Sequence, residues 1–299
     1  MTNFLHVLAP AKLNLFLHVT GQRPDGYHLL QSVFQLIDLQ DTVKLKIRAD
    51  GVIQRLNPLP NVPAEDDLVV KAARLLKEKY NTAFGVDIDL DKQIPMGAGL
   101  GGGSSDAAST LLGLNQLWGL NIPQQELMTL GLRLGADVPF FLFGKNAFVE
   151  GVGEVITEIT LKDVSYMVIF PGVSIPTKSI FSSPDLTRNR TPITIDDFEA
   201  HYAGHMTLSN DLQTVATKKY SEVQSAIEWL ENQFPGSQPM MTGSGSSVFC
   251  EIPDKVEAVN CFSELPPMWR GFKVQSLKQH SAYNLKSSIN IQEGSRQVG

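Results

Sequence analysis

The chain has 299 residues, 42% of them hydrophobic and 19% charged, with a formal net charge of −6 at pH 7. That length can bury one large core or two smaller ones, and the composition is that of an ordinary globular protein. Scattered basic residues in an acidic chain exclude the basic stripe that nucleic acid requires, and no apolar run is long enough to span a bilayer.

Two cysteines, Cys250 and Cys261, supply neither a disulfide framework nor a metal spacing. Met1 to Val7 lacks the basic region and apolar stretch of a secretory signal, so a cytoplasmic location is expected.

Alternation of Leu13, Leu15, Leu17 and Val19 with Asn14, Phe16 and His18 predicts a strand with one buried face. Gln22 to Gly26 is punctuated as a turn by Pro24 and Asp25-Gly26. Two strands are expected at 33–39 and 42–48, around a turn at Gln40-Asp41. The Pro- and Asn-rich stretch 57–67 ends in Asp66 and Asp67, which are placed to cap a helix over 68–80 with Leu68, Ala72, Leu75, Leu76 and Tyr80 inward. A strand at 86–90 leads into the glycine-rich stretch Pro95 to Ser105, and a helix follows at 105–118.

Pro123 opens the next helix and Gly135 stops it; Phe140 to Phe143 is an apolar run, and 147–155 reads as a hairpin bent by Gly151 and Gly153. The pattern restarts near residue 158. Tyr166 to Phe170 is a buried strand, 173–195 is broken by Pro and Ser, and helices follow around 196–219 and 221–234. A second glycine-rich turn, Thr242 to Ser247, opens into a strand at 248; the stretch 254–277 reads helix then strand, and 285–299 is polar and loose. The outline is α+β in two domains, 1–157 and 158–299.

The glycine loop carries the chemistry. Five glycines lie between Gly97 and Gly103. They leave the backbone free to turn and to approach a ligand, while Ser104 and Ser105 offer N-capping hydroxyls. Backbone N–H groups at a helix start bind anions, most often phosphate. Gly97-x-Gly99-x-x-Gly102 formally fits a dinucleotide fingerprint, but no acid lies between Asp106 and Glu126 to hold a ribose. The Gly-Lys-Ser/Thr of a Walker loop is absent, as are the HRD and DFG of protein kinases. A phosphate cradle of another lineage remains.

Phosphoryl transfer needs positioning, electrostatic stabilisation and one group to orient or deprotonate the nucleophile. Asp137, just before the apolar run, suits that last role or that of a simple turn and helix cap. Lys12, beside Asn14 on the polar face of the first strand, is a candidate partner or an exposed edge lysine. His28 can stack on or hydrogen-bond a base, or be structural. His201 and His205 are four apart, but Tyr202 stands where a zinc-protease helix needs glutamate.

Three motifs in order, Pro10 to Leu15, Pro95 to Ala108 and Thr242 to Phe249, closely resemble those of the GHMP small-molecule kinases, over about residues 1–280. Thr20 to His28, Leu134 to Pro139, Glu150 to Glu154 and Pro171 to Thr177 are similar to the members that act on a cytidine-diphosphate methylerythritol. The resemblance implies an N-terminal domain like part of ribosomal protein S5 (domain 2-like), a ferredoxin-like C-terminal domain and a site between them. It implies ATP as phosphoryl donor with Mg²⁺, small-molecule substrates, no nucleic acid or membrane partner, and a monomer or homodimer.

By position, Asp137 matches the family's catalytic acid and Lys12 the lysine that pairs with it. Pro95, Met96, Gly97, Ala98, Gly99, Leu100, Gly101, Gly102, Gly103, Ser104 and Ser105 match the ATP loop, with Ser104 or Ser105 near the phosphates and metal. Asn14 and Thr177 match substrate contacts, and Tyr27, His28 and Phe181 match the frame of the cytosine. Two positions depart from the pattern: Asp106 stands where asparagine is common, and Ser182 where a basic residue follows Phe181.

Overall fold

The computed structural model describes residues 3–60, 62–202, 208–253 and 262–283, without the side chains of His201 and Tyr202. The expectations for the His201–His205 pair, for Cys261, for a helix at 254–261 and for the tail at 285–299 lie outside the described residues.

Strand β1 (Leu5–Gln22) pairs antiparallel along nearly the whole of β2 (His28–Arg48). The other edge of β2 is shared by three strands. β5 (Ala147–Gly151) takes residues 30–34, β10 (Arg270–Leu277) takes 36–37, and β4 (Gly85–Asp91) takes 42–48. Short β3 (Ile53–Arg55) adds to β4 and β6 (Val155–Glu158) adds to β5. Through β10 the sheet continues into β7 (Ser165–Phe170), β9 (Val248–Ile252) and β8 (Met240–Met241). Ten strands thus form one sheet that links both halves of the chain.

β2 corrects the expected turn at Gln40-Asp41. β1 runs on beside it, so the interruption is absorbed as a register shift, with Pro10 facing Gln40 and Ala11 facing Ile37. That is a bulge, which bends a strand without ending it. Asp41 is therefore fully buried inside a strand.

Helix α1 (Leu68–Tyr80) is capped by Asp67, whose side chain accepts from the Val69 N–H. Asp66 does not cap; it pairs with Lys71. The inward face is Val69, Val70, Ala72, Ala73 and Leu76, while Leu68, Leu75 and Tyr80 are only partly buried. The predicted stripe is rotated because α1 packs against a second helix, α2 (Gly102–Leu117), as well as the sheet. α3 (Gln124–Leu132) and α4 (Val138–Phe143) complete this layer, with Pro123 at the cap position of α3 rather than inside it.

In the second half, α5 (Thr177–Phe181) lies within the Pro- and Ser-broken stretch, and α6 (Ile195–Tyr202) follows it. α7 (Gln213–Lys219) and α8 (Ser221–Gln233) bury Val215, Val223 and Leu230 in one cluster with Met167 and Ile169 of β7 and Val248 and Cys250 of β9. The end of β1 contributes Leu17 and Val19 to the same cluster. Among the described residues no helix is long and apolar enough to cross a membrane.

Candidate active site

Lys12 and Asn14 are two apart on β1 and so share a face. They are 3% and 1% exposed. The Lys12 ammonium donates to the Asn14 side-chain carbonyl, lies 3.7 Å from an Asp137 carboxylate oxygen and sits 4.8 Å from the centre of the Phe34 ring. Burial pushes its pKa below the ordinary lysine value, and the Asp137 charge opposes that shift. The ammonium thus faces one carboxylate beside the glycine loop, where a further anion would add a second countercharge.

Asp137 stands in the N-cap position of α4, but its backbone is helical (φ −84°, ψ −13°) and its side chain makes no capping bond. The carboxylate, one-third exposed, is directed instead at Lys12. Phe140 and Phe141 behind it are fully buried, which fixes α4 in the core.

The glycine loop is threaded between these groups and the Thr242 turn. The Lys12 N–H donates to Leu100 O at 3.0 Å, and the Ser247 N–H to Ala98 O at 3.1 Å. Thr242 Oγ1 accepts from the Asn14 N–H at 3.0 Å and donates toward Asn14 Oδ1 at 3.2 Å and Gly99 O at 3.3 Å. At Gly99 the backbone is left-handed (φ 75°), and an added Cβ would lie 2.1 Å from Thr242 O. No side chain fits where three motifs converge.

α2 begins with left-handed Gly101 at its cap and no side-chain capping bond. Ser104 and Ser105 therefore do not cap. They lie inside the first turn, with Ser105 fully buried and its hydroxyl without a partner. Glycine replaces the serine cap because the chain enters the helix with φ 74°. The first-turn N–H groups remain available to an anion.

Asp106 also has a structural answer. Lys92, on the approach to the loop, donates to Asp106 at 2.7 Å and to Asp41 of β2. Asp41 in turn accepts from the N–H groups of Gln93 and Ile94 at 2.6 and 2.8 Å. Burial pushes the Asp106 carboxyl up to about 8, with Lys92 opposing and Asp41 adding to the shift. The acid next to the phosphate loop is thus neutralised from within, and the trio ties β2 to both ends of the loop.

The loop, the Lys12–Asp137 pair, Lys92 and Asp106 border one cavity of about 500 Å³, within the usual range for a small-molecule site. Its wall includes residues 95–104, Lys12, Asn14, Asp137, Thr177 and Phe181. Thr177 Oγ1 and Ser244 Oγ are 2.8 Å apart across its rim. His28 is half-buried, its ring 4.9 Å from that of Phe181, and Tyr27 is 64% exposed in the 23–27 turn; neither borders the cavity itself. Ser182 ends α5 on the surface, away from the wall.

Sequence reasoning overlooked Asp41, Lys92, Ser32 and Arg188. Ser32 accepts from Asn14 Nδ2 at 2.9 Å, and Arg188 donates to His28 at 3.0 Å. The pairing of β1 with β2 was the signal that could have found Ser32, since it sits opposite Leu17, close by Asn14. Nothing local marks Arg188.

A glycine-built anion cradle, a buried lysine paired with a carboxylate, and a second wall carrying hydroxyl and aromatic groups define a small-molecule phosphotransferase site. Residues 67–145 match the family model of the GHMP kinases N terminal domain, and residues 201–270 match that of GHMP kinases C terminal. The chain is 56% identical to 4-diphosphocytidyl-2-C-methyl-D-erythritol kinase of Polynucleobacter asymbioticus, over 95% of this chain and 97% of that protein. It is 54% identical to the same-named enzyme of Cupriavidus metallidurans, over 91% and 92%. A crystal structure of 4-(cytidine 5'-diphospho)-2C-methyl-D-erythritol kinase superposes with TM-score 0.78 at 32% identity, covering 91% of this chain and 99% of that one. A homoserine kinase from Cytophaga hutchinsonii shares the fold, with TM-score 0.65 at 18% identity over 94% and 96%. The chain belongs to the GHMP kinase family.

Proposed function

We propose that this protein transfers the γ-phosphoryl group of ATP to the 2-hydroxyl of 4-diphosphocytidyl-2-C-methyl-D-erythritol, a step toward isoprenoid precursors. The observation that carries the reaction type is the Lys12–Asp137 pair, held against the glycine loop by the Lys12 N–H bond to Leu100 O. The near full-length identity to kinases of that name supports the acceptor.

In this reading residues 95–105 hold the ATP phosphates on backbone N–H groups. Asp137 accepts the proton of the acceptor hydroxyl as the oxygen attacks phosphorus. Lys12 keeps that carboxylate ionised and faces the charge that builds on the transferring group. A tertiary alcohol is crowded, so Asn14 and Thr177 matter as positioning contacts. Phe181, with His28 packed against it and Tyr27 on the adjoining turn, frames the cytosine.

Mg²⁺ fits the residues present. The buried Ser105 hydroxyl and one Asp106 carboxylate oxygen lack partners, and Mg²⁺ commonly takes one or two protein oxygens plus phosphate and water. Among the described residues no cluster of three His, Cys, Asp or Glu would hold a metal by itself. Bound there, the ion would offset charge on the phosphates.

A substrate panel tests the acceptor. ADP release should be fast with the cytidylated methylerythritol and at background with homoserine or mevalonate; preference for either of the latter would replace this reading with another branch of the family. Gly101→Val tests the donor arm. Its left-handed backbone disfavours a side chain, and the new Cβ would meet the Phe141 ring at 2.9 Å and Lys12 Cγ at 3.1 Å. Strain of about 1–3 kcal/mol should raise KM for ATP by about 10-fold or more and lower kcat through Lys12, leaving KM for the acceptor nearly unchanged. Equal rises in both KM values would contradict the loop assignment.

A further inference from the structure

Arg188 lies in the segment after α5 and makes four hydrogen bonds, three of them to backbone carbonyls of residues 181–186. Its Nη1 donates to Leu186 O at 3.0 Å, and its Nη2 donates to Phe181 O at 2.9 Å and Ser183 O at 2.8 Å. These bonds fold the segment around the guanidinium, which leaves Nε directed at Nε2 of His28, 3.0 Å away.

The chemistry of that contact has one solution. A guanidinium carries only donors, so His28 Nε2 must be the acceptor and cannot hold a proton. The ring is then neutral, and its one proton sits on Nδ1. Among the described residues Nδ1 has no hydrogen-bond partner. The same ring lies 4.9 Å from Phe181, which forms part of the cavity wall.

We infer that Arg188 is a positioning residue for base recognition: it locks His28 as the Nδ1–H tautomer, so that His28 presents a donor to the acceptor edge of a pyrimidine. This rests on the cytidine reading of the Phe181 wall. In this state His28 can donate to a ring nitrogen or the 2-carbonyl of cytosine, but it cannot accept from the exocyclic amine. A protonated histidine would lose the Arg188 bond and meet like charge. Burial and the Arg188 charge both push the His28 pKa below its ordinary value, in accord with the bond. The nearby charges on its own turn, Arg23 and Asp25, are paired with each other at 2.7 Å.

The tautomer can be read directly, without ligand, by ¹⁵N-detected NMR of the labelled full chain, with His28 assigned by difference against His28→Gln. Nε2 should resonate as an unprotonated ring nitrogen and Nδ1 as a protonated one. Arg188→Met should shift the ring toward the Nε2–H form and raise KM for the cytidylated substrate about fivefold, the worth of one neutral hydrogen bond, with a smaller change in kcat. Arg188→Gln, whose amide can still donate to Nε2, should keep the tautomer and recover most of that loss.

A protonated Nε2 in the wild-type protein overturns the inference. So does an Arg188→Met variant that raises KM with the tautomer unchanged, which would make Arg188 a loop brace only, or one that changes the tautomer with KM unaltered. Turnover of the cytidylated substrate by the wild type, on the same preparation, judges the cytidine reading separately.

Discussion

Asp137→Asn should lower kcat by about 10²–10⁴, the usual worth of a positioned general base, while KM for ATP and for the acceptor changes little. The amide keeps the shape of the carboxylate but cannot take the hydroxyl proton. Because the Asp137 side chain makes no capping bond to α4, the helix start does not depend on it. Lys12 keeps its bond to Asn14, so the rest of the site stays assembled. Steady-state kinetics on both substrates, with circular dichroism as the control for folding, makes the measurement. Lys12 and Asp137 act as one unit, so Lys12→Met in the Asp137→Asn background should cost much less than it does alone. Near-normal kcat in Asp137→Asn would remove this residue from the chemistry.

Lys92→Met should have the largest effect on stability. Lys92 is the shared cation of Asp41 and Asp106, whose side chains are 0% and 4% exposed. Its loss leaves two buried carboxyl groups facing each other without a cation. Breaking a buried pair by removing one partner typically costs about 3–5 kcal/mol, and urea unfolding at neutral pH should show a loss of that size. Adding Asp106→Asn should recover little of it, since burial and Asp41 already hold the Asp106 carboxyl up at about 8. A loss below about 1 kcal/mol, the range of surface pairs, would mean that solvent already screens the trio. Asp41 also anchors the N–H groups of Gln93 and Ile94, so the unfolding should be accompanied by weaker ATP binding.

Much of this was legible from local pattern. α1 came out at 68–80 because apolar spacing and the Asp67 cap agree, and the glycine loop announced itself by composition. What local pattern could not supply was partnership across the sheet. Gln40-Asp41 reads as a turn only while β1 is left out; the pairing of Pro10 with Gln40 turns it into a bulge with a buried acid. Ser104 and Ser105 look like caps until the left-handed entry at Gly101 shifts the helix start toward the loop.

Asp106 looked hostile to phosphate because its countercharge, Lys92, sits fourteen residues away on the approach to the loop and is shared with a third element. Arg188 was invisible for the same reason, being 160 residues from His28. The motif residues Lys12, Asn14, Gly99 and Thr242 were each conspicuous alone. Only the fold shows that hydrogen bonds join them.

The most direct measurement is ³¹P NMR of the purified protein with ATP, Mg²⁺ and 4-diphosphocytidyl-2-C-methyl-D-erythritol. Loss of the ATP γ signal should be matched by ADP and by a new phosphomonoester, with carbon coupling that places it on the tertiary C2 oxygen, and Asp137→Asn should slow all three together. A folded wild-type protein that gives no phosphomonoester, or one bonded to a different hydroxyl, would contradict the proposed transfer.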